Sequence, residues 1–117
     1  TRIDAAFAKG GTALYDAVAQ AYQGQKERAR KDPRRIHALL VLTDGVDENS
    51  TRYSLAQLRE LLGKDEEGTG VKVFTIAYGA GADPKILAEI GEAGRGTSAK
   101  GTAANIVQVY QDMASFF

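Results

Sequence analysis

Cysteine is absent from the 117 residues, which removes disulfides, thiolate nucleophiles and cysteine-ligated zinc from consideration. The lack of disulfides leaves the compartment open. A charge excess of either sign is absent too: 15 Lys+Arg balance 15 Asp+Glu. That balance argues against a nucleic-acid module working through a basic surface. Long apolar runs are missing, since the longest, Ala38–Leu42, falls far short of the roughly 20 residues that cross a bilayer. No charged-then-apolar leader opens these residues, so no signal peptide is expected among them. Internal repeats and low-complexity blocks are also lacking.

What is present is ordinary globular composition, with 44% apolar and 26% charged residues. The length suits one domain, near the lower end of a usual mode of about 100–150 residues. Thr12–Tyr22 has helical spacing, with Leu14, Val18 and Tyr22 on one face and Thr12 at or next to the N-cap. The polar stretch Gln23–Arg35 is expected to be the solvated end of that helix and then a loop, broken at Pro33. Ile36–Thr43 is apolar without alternation, as in a strand buried on both faces of a parallel sheet, and it stops at Asp44-Gly45.

Ser54–Gln57 forms a capping box, and Leu55, Leu58, Leu61 and Leu62 follow at helical spacing. After a polar loop at Gly63–Gly70, Val71–Tyr78 is a second strand, rich in β-branched and aromatic residues. Asp83-Pro84 reads as an N-cap with proline at the first helical position, and Ile86, Leu87 and Ile90 give the buried face of a short helix ended by Gly91 to Gly96. Thr97–Lys100 is expected as a short edge strand and Ala103–Phe117 as a last helix. Strands separated by helices imply an α/β fold with a parallel sheet and helices on both faces. Ligands of such sheets bind beyond the carboxyl ends of the strands, near the point where strand order reverses. Two or three strands make a thin sheet for that architecture.

Asp44 is the most informative residue, a carboxylate held by a glycine turn where an apolar strand ends, with Asp47, Glu48 and Asn49 close by. The plain reading is a polar loop. The chemical reading is an oxygen ligand for Mg²⁺ or Ca²⁺, although the spacing is not that of an EF-hand. Thr12, after Gly10-Gly11, is a helix cap or a hydroxyl reaching an ion. Gly79–Pro84 fails as a dinucleotide fingerprint because Pro84 stands where the third glycine is needed, and no phosphate-binding P-loop occurs. His37, the single histidine, begins the strand at the end opposite Asp44; with no Gly-x-Ser-x-Gly elbow in the chain, it reads as structural. The Lys/Arg-rich stretch from residue 26 to 35 reads as a solvated surface.

Two stretches together are less generic. Gly10-Gly11-Thr12-Ala13-Leu14-Tyr15-Asp16-Ala17-Val18 resembles the threonine loop and following helix of von Willebrand factor type A (VWA) domains, and Leu40-Val41-Leu42-Thr43-Asp44-Gly45 resembles the strand-and-aspartate segment of the same family. Val73–Gly79 with Asp83-Pro84 fits the family's next strand and helix. The style is that of bacterial members, which occur in exported or membrane-anchored proteins and in the cytoplasm. The resemblance covers essentially residues 1–117 as one partial domain, the C-terminal part, since the family's Asp-x-Ser-x-Ser segment is absent.

The resemblance implies a doubly wound, Rossmann-like, mostly parallel sheet. It also implies a metal-ion-dependent adhesion site (MIDAS) whose metal ligands here are Thr12 and Asp44. The complete domain holds Mg²⁺ (or Mn²⁺ or Ca²⁺), and a carboxylate from a protein partner completes the shell, so the expected function is adhesion-type protein binding rather than catalysis. Two ligands are too few for a strong site, so metal binding by this chain is expected to be weak or absent. Asp47, Glu48, Asn49 and the Gly79–Asp83 loop would rim the contact surface. In the order 3-2-1-4-5-6, loss of the first strands would bare one edge of Ile36–Thr43, so the missing part is expected to be supplied in another chain, lost by proteolysis, or replaced by self-association through that edge. The alternatives are a metal-assisted hydrolase, with Asp47 or Glu48 as nucleophile or general base, and a structural half-domain with a vestigial metal site.

Overall fold

The computed structural model describes residues 3–10, 13–43, 45–64, 70–78, 81–101, 108, 111 and 112, with backbone alone at 3–10, 36 and 78. It is a small α/β fold. The elements run β1 (Ile3–Gly10), α1 (Leu14–Lys31), β2 (Ile36–Thr43), α2 (Leu55–Gly63), β3 (Lys72–Tyr78), α3 (Pro84–Ala93) and β4 (Ser98–Gly101). The four strands form one open sheet in the order β1-β2-β3-β4, each parallel to its neighbour.

β1 is the first departure from the sequence reading, which placed no strand before α1. It pairs with β2 over its whole length, from Ile3 opposite Ile36 to Gly10 opposite Thr43. β2 is therefore flanked by β1 and β3. The bare edge expected on Ile36–Thr43 does not exist, and self-association through that strand has no open edge to use. Among the described residues the sheet's outer strands are β1 and β4.

Successive parallel strands laid down in one direction by right-handed crossovers put their helices on one face. Residues of all three helices, among them Val18, Tyr22, Leu58, Leu62, Leu87 and Ile90, pack with Leu39, Val41, Val73 and Ala77 in a single cluster. The intervening strand residues Ala38, Leu40, Phe74 and Ile76 form a second cluster on the opposite face, also buried. Both faces of β2 and β3 are thus removed from water, which is why their sequences lack polar alternation. Helices on both faces were expected; α1, α2 and α3 all lie on one. The expected last helix falls mostly outside the described residues, within which Gln108, Gln111 and Asp112 are helical.

α1 buries Leu14, Val18, Tyr22, Gln25 and Ala29, so its packed face continues into the stretch read as solvated. It stops at Asp32, whose N–H bonds the Arg28 carbonyl at 2.9 Å, one residue before Pro33. Around that face the charged residues are exposed and paired locally, as in Arg30–Glu27 and Arg35–Asp32. α2 opens on the capping box: Gln57 N–H donates to Ser54 Oγ at 3.2 Å and Ser54 N–H to Gln57 Oε1 at 2.9 Å. α3 is capped by Asp83 Oδ1, which accepts from the N–H groups of Lys85 and Ile86.

The end of α3 is tightly built. Gly96 N–H bonds Gly91 O at 2.8 Å and Arg95 N–H bonds Glu92 O at 3.1 Å, the paired bonds of a Schellman motif. Its left-handed residue is Arg95, at φ 65°, where glycine is usual. The flanking glycines have their own constraint: a Cβ on Gly94 would strike the Val73 side chain and one on Gly96 the Val73 carbonyl. The Arg95 guanidinium donates to Leu62 O (2.9 Å), Val71 O (2.9 Å) and Tyr22 Oη (3.0 Å), tying α1, the end of α2 and the start of β3 together.

Candidate functional site

The carboxyl ends of β1 and β2 lie side by side, because Gly10 and Thr43 are register partners and neighbouring strands run about 4.8 Å apart. The chain therefore leaves the sheet at adjacent points on its way to residues 12 and 44. Thr12 and Asp44, the expected metal ligands, themselves lie outside the described residues. The segments that follow them in sequence, from Ala13 and from Gly45, are described.

α1 begins without a cap of its own. Its N-cap residue is Ala13, which makes no side-chain capping bond, leaving the first N–H groups to find partners elsewhere. Those partners come from the segment after β2. Asp47 Oδ1 accepts the N–H of Tyr15 at 2.9 Å, and Ser50 Oγ accepts the N–H of Asp16 at 3.0 Å. The Ser50 hydroxyl in turn donates to Asp47 Oδ1. In the other direction, the Asp16 carboxylate accepts the backbone N–H groups of Thr51 (2.9 Å), Arg52 (3.2 Å) and Tyr53 (2.9 Å). Two segments more than 30 residues apart in sequence thus cap each other. At the exit of β2, the buried Thr43 hydroxyl bonds both N–H and C=O of Gly45, forming the local turn.

These contacts shape the electrostatics. Burial pushes the Asp16 carboxyl up, but the N–H donors of Thr51, Arg52 and Tyr53 and the Arg52 charge outweigh it and hold its pKa below the ordinary aspartate value. Burial, then the carboxylates of Asp47, Asp83 and Glu89, push the Tyr15 phenol up. Carboxylates from the loop after β2, the α3 cap and α3 itself therefore all act on one phenol in the first turn of α1.

Of the residues expected to rim the site, Glu48 and Asn49 are exposed. Asp47 is half-buried and has a capping task, which the sequence reading had not assigned to it, and Asp83 caps α3. Residues 79 and 80 of the second loop lie outside the described residues. His37 is buried, with Nε2 2.7 Å from the Asp32 carbonyl. A carbonyl only accepts, so Nε2 carries the proton and the ring anchors the end of α1 to the start of β2. The trans-capping pair Asp47–Ser50 and the Asp16 clamp were missed because their spacing in sequence carries no local signal; Asp16 in the first turn of a helix without its own cap was the one available hint.

Hard oxygen donors such as a threonine hydroxyl and an aspartate carboxylate suit Mg²⁺, Mn²⁺ or Ca²⁺. Asp47 Oδ1 and the Ser50 hydroxyl are spent on α1, and among the described residues no group of three or more His, Asp or Glu gathers at ligating range. The donor chemistry fits a hard cation, and the number of donors is small. No helix among the described residues is long and apolar enough to cross a membrane.

No protein-family model matches the chain, and no curated protein matches it.

Proposed function

We propose that this chain is a VWA-type binding module without the family's Asp-x-Ser-x-Ser segment. Thr12 and Asp44 would supply a hydroxyl and a carboxylate to one divalent cation at the carboxyl end of the sheet, with water filling the remaining positions. The observation that carries the reading is the pairing of Gly10 with Thr43 at the exits of adjacent parallel strands, with the segments beyond them fastened by the Asp16 and Asp47–Ser50 contacts. When bound, such an ion accepts a further oxygen ligand, and a carboxylate on a partner protein is the group that completes it.

Calorimetric titration of the chain with Mg²⁺ and Mn²⁺ tests the reading. Weak binding that disappears in Asp44→Ala and in Thr12→Ala is expected. Binding unchanged in both variants, or no binding at any concentration, overturns it.

A further inference from the structure

At the edge opposite β1, β4 is the outer strand among the described residues, none of which pairs with its far side. Thr75 N–H bonds Thr97 O at 3.0 Å, and Thr75 and Ala77 are register partners of Ser98 and Lys100. In a parallel ladder successive residues direct their backbone groups to alternate sides. The N–H and C=O groups of Ser98 and Lys100 therefore point away from β3, and both residues are exposed. A crevice of about 370 Å³ runs between this edge and the first turns of α3. Its floor includes the buried Ala77 and Leu87, and Lys85 and Lys100 stand at it. The ion pairs among the described residues join Arg30, Arg35 and Lys64 to neighbouring acids, and neither of these lysines takes part.

We propose that this edge receives an acidic, extended peptide segment as an additional parallel or antiparallel strand. The outward backbone groups of Ser98 and Lys100 supply the ladder, the crevice takes an apolar side chain, and Lys85 and Lys100 select carboxylates. Main-chain bonds give such strand addition its affinity, and pockets for alternate side chains give it specificity. The same lysines disfavour a second copy of this chain, whose edge is equally basic. This surface is independent of residues 12 and 44, so its test stands or falls apart from the cation site.

The test is fluorescence anisotropy with a labelled short peptide alternating Glu and Val, against the same peptide with Lys for Glu and against one carrying a central proline. The acidic peptide is expected to bind and both controls to fail. Lys85→Glu and Lys100→Glu are each expected to weaken binding by roughly tenfold. Ser98→Pro removes only an outward N–H, which an edge strand tolerates, and is expected to weaken binding as well. If that variant does not fold, as read by its melting transition, the proline-bearing peptide reports on the same ladder without altering the protein. Binding indifferent to proline in both places would be plain charge attraction and would overturn the proposal, as would equal binding of the Lys peptide or no binding at all.

Discussion

Asp16 Oδ1 accepts the backbone N–H of Tyr53 at 2.9 Å across 37 residues of sequence. With the bonds to Thr51 and Arg52, it makes one carboxylate the fastening between α1 and the segment entering α2. A charged acceptor shared by several N–H donors is among the stronger polar contacts in a folded chain.

Acid titration should expose that contact. The Asp16 pKa is lowered on folding from 3.8, so the unfolded chain takes up the proton first as pH falls. The contribution is fully present above the unfolded value and is lost as pH drops through the lower folded value. Urea midpoints measured from pH 6 to pH 2 should fall more steeply for the native chain than for Asp16→Asn. Asp16→Asn should already have a lower midpoint at pH 7.

The trans cap on α1 predicts a coupled pair. Asp47→Ala and Ser50→Ala should each cost about 1 kcal/mol, the usual value of a lost helix cap. Because the Ser50 hydroxyl also bonds Asp47, the double variant should cost less than the sum of the two. Chemical denaturation of the four proteins checks this, and strict additivity would contradict the shared contact.

Arg95 combines a left-handed backbone with three guanidinium bonds. Arg95→Ala keeps the strained backbone and loses the bonds, which should cost about 2 kcal/mol. Arg95→Gly loses the same bonds but relaxes the backbone, so it should be about 1 kcal/mol more stable than Arg95→Ala. The order of the two unfolding midpoints is the observation that decides it.

Glycines 24 and 96 should respond in opposite senses. A Cβ on Gly24, inside α1, meets nothing within 4 Å, so Gly24→Ala should stabilise by about 0.5–1 kcal/mol through helix propensity. A Cβ on Gly96 would collide with the Val73 carbonyl. Gly96→Ala must therefore push α3 and β4 away from β3, and loss of the cooperative thermal transition is expected.

The legibility of the fold followed the range of the forces involved. β2, β3, the Ser54 box and the Asp83-Pro84 cap were all visible because hydrophobic patterning and capping act within a few residues. β1 was not: Ile3–Gly10 carries alanines and a single β-branched residue, and it is a strand by virtue of pairing with β2. Arg95 stands where a glycine would be expected, and its three guanidinium bonds join segments far apart in sequence, which no local pattern announces. At the candidate site, a strand ending at Thr43 and a helix beginning soon after Thr12 in sequence were readable, while the roles of Asp16, Asp47 and Ser50 depend on contacts that exist only after the chain has folded.

The central claim, one cation shared by the Thr12 hydroxyl and the Asp44 carboxylate, is tested most directly by paramagnetic broadening in a Mn²⁺ titration followed by amide NMR. The account predicts that the amides of Ala13 and Gly45 broaden together at the lowest additions, and that both effects vanish in Asp44→Ala. Broadening at only one of these two amides, or persistence of both in Asp44→Ala, would contradict it.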